Sequence, residues 1–325
     1  EFRRVLFRSI SEIYESLDEL LAHETPDVVC NVVPVGTAHE LVEKCARAGV
    51  RVISCEKPIA VELSTADRMV DICREHGAAF GCGTAYWEVP VLQQTAAWIA
   101  EGHIGDIVSV AIPGGLPVEV SGAGCVQLTM LRGVTGLDVE WVEGWTLPPV
   151  EGYRAPEADD LTMDCPAYGR IGLTGGIVCE VPVPPAEHLY CRVAVTGTAG
   201  QVFLQGRQNV YIVGTGAAAS PVWPDFVQAE RRMSMGPMLQ RLLDAVDSGA
   251  LEVPCSGDDY RQALEIAVAF KLSASNGNQQ VRLPLTDRSH KILPHPYRRL
   301  GGDVAGYDSI GYEGPPVAEQ RTPRA

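Results

Sequence analysis

The residue of this 325-residue chain best placed to do chemistry is Lys57. It follows the apolar run Val50 to Ser54, which reads as a buried strand, and leads into Pro58. A lysine at the carboxyl end of a parallel strand projects into the crevice where doubly wound folds bind their ligands. There its pKa would be lowered, so that as the ammonium it can orient a bound hydroxyl and as the neutral amine take its proton. The plainer alternative is a surface lysine lying over the next helix. His39 follows another strand, Val28 to Val33, at the start of a helix, where it either contacts a ligand or caps the helix; both readings stay open. Val210 to Ala219 imitates a strand followed by a Gly-x-Gly-x-x-Ala phosphate loop. That fingerprint needs a helix immediately after it, and Ser220-Pro221-Val222-Trp223-Pro224 cannot supply one, so the stretch is expected to be strand and loop. The other histidines, 23, 76, 103, 188, 290 and 295, lack metal-ligand spacing, and no metal site is expected.

The elements that must position these groups alternate between helix and strand from Ile10 onward, as in parallel crossover units. Thr37 is expected to cap a helix that Gly49 stops, and Ser64 with Asp67 to form a capping box for a helix ending at Gly77. Ala78 to Gly83 is a third strand, and Pro90 opens a helix to Glu101. After Ile104-Gly105-Asp106 the texture changes to strands separated by turns: 107–112, 139–142, 168–173, 177–183, 189–196, 201–204 and 210–213. Two helices interrupt or cover this antiparallel sheet, one around Met238, Leu242, Ala245 and Val246, the other from Asp258 to Ser275. The fold class is therefore α/β plus α+β: an incomplete Rossmann-type parallel sheet domain over residues 10–105, then an antiparallel-sheet domain with covering helices over 106–300. Residues 301–325, rich in Gly and Pro, are expected to form a flexible tail.

Composition narrows the function classes. The chain is 46% hydrophobic and 21% charged, an ordinary globular balance with enough material for two cores. A net charge of -15 repels phosphate backbones and anionic lipid, so neither nucleic acid nor a membrane is an expected partner. Ten cysteines are scattered without a Cys-x-x-Cys pair, which points to a reducing, cytoplasmic setting. Residues 1–9 (Glu-Phe-Arg-Arg-Val-Leu-Phe-Arg-Ser) can be written codon by codon as a common sequencing adapter. They are expected to be an artefactual leader, with the natural gene continuing upstream.

Cys55-Glu56-Lys57-Pro58 and the turn Pro34-x-x-x-x-His39 together resemble the Gfo/Idh/MocA (glucose-fructose oxidoreductase and inositol dehydrogenase) family. Supporting matches are Gly102-x-Ile104-Gly105, Asp159-Asp160, Gly197-Thr198-Ala199-Gly200 and Lys271 to Gly277; the likeness runs over about residues 10 to 300. The resemblance implies NAD or NADP as cofactor, with Pro34, His39, Glu56 and Lys57 facing it, and a sugar, cyclitol or related polyol as substrate. It implies hydride transfer assisted by Lys57, and a homo-oligomer built through the open sheet face. Glu56 would face the nicotinamide ribose, its alternative being a salt-bridged carboxylate.

Two departures qualify the likeness. The segment that carries an Asp and a His in the family is here Ser121 to Arg132 and has neither. Gln127 is the nearest polar substitute, able to hydrogen-bond a hydroxyl but not to carry a proton. Tyr86 and Trp87 replace a basic-aromatic pair; they can stack on a sugar ring or belong to the core. Alternatives to net dehydrogenation are a glycoside hydrolase or lyase using NAD transiently, or a degenerate nucleotide-binding protein. With the cofactor cradle cut off upstream, the chain as given is expected to bind cofactor poorly or not at all and to be inactive.

Overall fold

The computed structural model describes residues 12–82, 90–116, 118–149, 158–183, 192–204, 209–228, 236–251, 255–296 and 298. Residues 1–9, expected to be a leader, residues 301–325, expected to be a flexible tail, and Tyr86 and Trp87 lie outside the described residues.

The first unit is a parallel sheet with its crossover helices. Helix α1 (Leu17–His23) starts at Ser16, whose hydroxyl accepts from the amide of Glu19 at 3.1 Å. Strand β1 (Val28–Asn31) pairs with β2 (Val52–Cys55), and β2 with β3 (Ala79–Cys82), all parallel. Helices α2 (Val35–Arg47) and α3 (Leu63–Glu75) make the crossovers, burying Val42, Cys45 and Ala46 from one and Leu63, Met69, Val70 and Cys73 from the other. Both helices end as expected on glycines in left-handed conformation, Gly49 (φ 86°) and Gly77 (φ 69°). Their starts differ from expectation. α2 begins at Val35 behind Pro34, and Thr37, one turn inside, donates its hydroxyl back to the Pro34 carbonyl at 3.0 Å. α3 begins at Leu63 behind Glu62 without a side-chain cap, because Asp67 is drawn away into ion pairs with Arg288 and Arg261. Helix α4 (Pro90–Ala100) leads to the second unit.

The second unit is built on a large sheet: β4 (Ile107–Ala111), β5 (Val139–Thr146), β6 (Ala167–Leu173), β7 (Ile177–Val181), β8 (Val193–Gly197), β9 (Gly200–Leu204), β10 (Val210–Val213) and β11 (Ser220–Val222). The two-residue strand β12 (Val281–Arg282) completes the order β11-β10-β9-β8-β4-β7-β6-β5-β12 among the described residues. Helix α5 (Cys125–Thr135) separates β4 from β5, while α6 (Gly236–Ser248) and α7 (Gly257–Ser275) follow β11. The strands coincide closely with those read from the sequence, and the segment after Val213 is a short turn and a strand rather than a phosphate-binding helix. One expectation is corrected: the sheet is mixed, because β4 runs parallel to β7. β4 leaves the first unit directly into the sheet centre, so its neighbour β7 is reached only after α5, β5 and β6, a crossover rather than a hairpin.

A parallel sheet needs both faces covered. α2 and α3 cover one face of the small sheet; on the other, Met238 and Leu242 of α6 pack against Val52 and Ala79. The approach is so close that a Cβ on Gly81 would stand 2.9 Å from Leu242. Residues 285–293 tie the units further. The amides of Leu63 and Ser64 donate to the carbonyls of His290 and Arg288 at 3.1 and 2.9 Å, and Ile292 donates to Val61 at 2.9 Å. Arg288 forms a two-pronged pair with Asp67 of α3, both contacts 2.7 Å, and a second pair with the buried Glu265 of α7.

Removing Arg288 strands Glu265 as an uncompensated buried charge. Arg288→Met is expected to lower unfolding free energy by about 3 kcal/mol. Arg47→Ala, which breaks only an exposed helical pair with Glu43, is expected to lower it by under about 1 kcal/mol. Denaturant melts compare the two; equal losses would show that the strap does not hold the units together.

Candidate functional site

Because β1, β2 and β3 are parallel and in register, their last residues stand side by side: Asn31 opposite Cys55, and Cys55 opposite Cys82. Glu56 and Lys57 leave β2 at this level. The Glu56 amide donates to the Asn31 carbonyl at 3.0 Å, and the Glu56 carbonyl accepts from the Cys82 thiol at 3.5 Å. Pro58, Ile59 and Ala60 follow, all buried, so the turn is anchored on both sides of Lys57. The Lys57 side chain is 24% exposed, and its ammonium stands 4.0 Å from Glu56 Oε2, an oxygen that also accepts from the Lys57 amide at 3.2 Å. Glu56 is thus salt-bridged, and it remains 44% exposed.

Pro34 and His39 sit nearby in sequence but differ in placement. Pro34 occupies the cap position of α2, and His39 is the fifth residue of that helix, partly buried and past the first turn, so the capping reading of His39 falls away. Gln127 lies in the first turn of α5, half-buried, and its Oε1 is buried without a hydrogen-bond partner among the described residues. Asn31 is alike: it is only 6% exposed, and its Nδ2 has no partner among the described residues. Asn31 was missed by sequence reasoning, although an amide closing a run of valines was a visible signal.

A second group, also missed, gathers beside the turn before α5. Residues Val120–Gly124 form a π-helical turn, a geometry frequent at functional sites. Asp164, buried, accepts from the Val120 and Ser121 amides at 2.8 Å each and from the Ser121 hydroxyl at 2.6 Å. Burial and the neighbouring Glu119 push its carboxyl up to about 6. Glu119, fully buried, pairs with Arg298 and accepts from the His295 amide at 3.2 Å. His295 is 1% exposed, and burial with Arg298 nearby pushes its imidazole down to about 3. Cys125 donates its thiol to the Gly122 carbonyl at 3.2 Å; burial pushes that thiol up to about 12, against the pull of the Lys57 ammonium. A separate polar cavity of about 670 Å³, lined by Arg132, Asp138, Asp259, Arg261 and Glu265 among others, opens at the opposite end of α5 and does not include Lys57.

Asn31, Glu56 and Lys57 thus gather at the strand ends, an amide, a carboxylate and an ammonium within one turn of chain of each other. No glycine-rich loop for the pyrophosphate occurs among the described residues.

Comparison with known proteins bears on this arrangement. Residues 7–84 match the GFO_IDH_MocA model, described as an oxidoreductase family with an NAD-binding Rossmann fold. Over 93 residues, 29% of this chain and 26% of the relative, the sequence is 31% identical to D-xylose 1-dehydrogenase [NADP(+)] of Haloarcula marismortui. Over 97 residues, 30% of this chain and 26% of the relative, it is 33% identical to 2,7-anhydro-N-acetylneuraminate hydratase of Mediterraneibacter gnavus. The matched stretch thus spans about a quarter of these curated relatives. Over 87% of both chains the fold is similar to that of levoglucosan dehydrogenase in complex with NADH and levoglucosan, with a TM-score of 0.66 and 16% identity.

The buried imidazole sets a pH dependence. Its folded-state value lies below the unfolded 6.5, so as pH falls from 6.5 toward about 3 the unfolded chain takes up a proton that the folded chain refuses. Wild type is therefore expected to lose stability relative to His295→Gln, by up to about 1.4 kcal/mol per pH unit across that window. A stability difference that stays constant in acid would contradict a neutral His295.

Proposed function

We propose that this chain belongs to the Gfo/Idh/MocA oxidoreductases and carries most of an NAD(P)-dependent dehydrogenase for a sugar, cyclitol or related polyol. The observation that carries the reading is Lys57 just beyond the carboxyl end of β2, whose last residue, Cys55, is level with Asn31 and Cys82, inside the segment that matches the NAD-binding family model. Bound NAD or NADP supplies the hydride acceptor. The chain's own residues do the rest. Lys57, as the neutral amine, takes the proton of the hydroxyl being oxidised and becomes the ammonium; its partial exposure lets it pass that proton to solvent. Glu56 holds the ammonium in place and turns its exposed oxygen to the cofactor ribose. The amides of Asn31 and Gln127, whose buried atoms lack partners, hydrogen-bond cofactor and substrate, with Pro34 and His39 bordering the cofactor and Tyr86 and Trp87 stacking on the substrate ring.

The second reading is a reaction in which substrate is oxidised and reduced again without net change of cofactor. It is favoured by the absence of a proton-carrying side chain from Ser121 to Arg132 and by the likeness to a hydratase. A homo-oligomer fits the apolar side chains left exposed on the large sheet, Val108, Trp145 and Val210. Among the described residues no helix is long and apolar enough to cross a membrane.

The test offers NAD⁺ or NADP⁺ with a panel of sugars and polyols to the chain and to the product of the full reading frame at its source locus. Net cofactor reduction is expected, abolished by Lys57→Ala with cofactor affinity kept within a few fold. Turnover of glycosides without net reduction would support the second reading, and unchanged turnover in Lys57→Ala would remove Lys57 from the mechanism.

A further inference from the structure

The polar cavity of about 670 Å³ lies between the end of α5, the first turns of α7 and the stretch around Leu283. Arg132 reaches it from the last turn of α5, and Asp138 from the residue ahead of β5. From α7 come Asp258, Arg261, Gln262 and Glu265, at spacings of three, four and seven residues that share one helical face. Val139, Leu283 and Pro284 form an apolar patch beside them.

Pairs of opposite charge hold these walls. Arg132 bonds Asp138 at 3.0 Å and the buried Asp259 at 2.9 Å, so one guanidinium ties the end of α5 to the start of α7. Asp259 also accepts from the Ser256 amide at 2.9 Å. Arg261 pairs with Asp258 at 2.9 Å, and the buried Glu265 accepts from the Leu285 amide at 2.7 Å and pairs with Arg288.

This pairing selects what the cavity can hold. Each ionised group on the walls already has a partner of opposite sign, so an entering ion meets no uncompensated charge. Hydrogen-bonding capacity is nevertheless left over. A guanidinium carries five N–H donors and a carboxylate about four lone pairs, more than these pairs use, and Gln262 adds an amide. Donors and acceptors side by side without net charge match vicinal hydroxyl groups, each of which donates to a carboxylate and accepts from a guanidinium. The apolar patch suits the C–H face of a sugar ring. The volume falls within the range of small-molecule sites, and walls already fixed by ion pairs lose little freedom when a ligand enters.

We propose that this cavity is a binding site for a neutral polyhydroxylated compound of mono- or disaccharide size, separate from the Lys57 turn. The proposal does not depend on the role assigned to Lys57.

The test reads carboxylate reactivity in the intact 325-residue chain without cofactor. A carbodiimide with glycine ethyl ester labels accessible carboxylates, and peptide mass spectrometry follows the exposed Asp138 and the half-buried Asp258, with the exposed Asp18 as a reference outside the cavity. Glucose, maltose and myo-inositol are titrated in turn. At least one is expected to slow labelling of Asp138 and Asp258 by about threefold or more, with a Kd on the order of 1 mM, and to leave Asp18 unchanged. Sodium sulfate and tetramethylammonium chloride, at matched ionic strength, are expected to protect neither. Gln262→Trp places an indole in the cavity and is expected to remove the protection, whereas Lys57→Ala is expected to retain it.

The proposal is overturned if none of the three compounds protects Asp138 and Asp258, or if sulfate or tetramethylammonium reproduces the effect. Protection that persists in folded Gln262→Trp, or is lost in Lys57→Ala, overturns it too. Where Gln262→Trp fails to fold, Gln262→Ala takes its place: loss of one amide is expected to weaken binding by about threefold to tenfold, and an unchanged Kd contradicts the site. Failure of the dehydrogenase reading would appear in the turnover experiment and leave these labelling rates untouched.

Discussion

The parallel pairing of β1, β2 and β3 leaves a small sheet with two apolar faces, and covering both is the constraint on which the rest of the structure depends. α2 and α3, generated by the crossovers themselves, supply one cover. The other comes from α6, which lies after all but the last short strand of the large sheet. The chain must therefore fold back over its own first unit, and residues 285–293 follow the same path. The two units cannot be positioned independently, and the crevice at the strand ends is fixed by the packing that buries Val52 and Ala79.

Register alone puts Asn31, Cys55 and Cys82 level, with Glu56 and Lys57 just beyond them. Behind the turn the Cys55 and Cys82 sulfurs lie 3.7 Å apart, and burial pushes the Cys82 thiol well above its ordinary value. In front of it Lys57 and Glu56 keep 24% and 44% of their side chains exposed, so their pair stands at the boundary between a buried layer and solvent.

Much of this was legible in the sequence, for identifiable reasons. The strands of both units were readable because apolar runs such as Val28 to Val33 and alternating ones such as Val139 to Val142 carry the period of a strand, and Gly49 and Gly77 marked helix ends that only a left-handed residue allows. Lys57 was legible because a strand end is a position defined by local pattern. The helix starts were misread because Thr37 and Asp67 are good capping residues whose side chains found other partners, and Asp67 was claimed by Arg288, 221 residues away. Glu119, Asp164, His295 and Arg298 were illegible for the same reason on a larger scale. Each alone is an ordinary polar residue; they become a cluster only when strands and strap close. A search confined to Ser121 through Arg132 could not find a carboxylate standing just outside it.

Such a cluster opposes folding on its own. Two carboxylates, an imidazole and a guanidinium withdrawn from water lose several kcal/mol of hydration per ion, and the attraction between them offsets this only when the geometry is close and the remaining lone pairs are filled. Asp164 meets that condition with three hydrogen bonds to a single turn, and Glu119 meets it with Arg298 and a backbone amide. His295 meets it differently, by remaining neutral. An apolar cluster of equal volume would fill the same space without the hydration loss. What it could not supply is acceptors for the Val120, Ser121 and His295 amides. The polar choice therefore fixes the backbone of the π-helical turn and ties it to the chain around His295, which an apolar cluster would leave with unpaired buried amides.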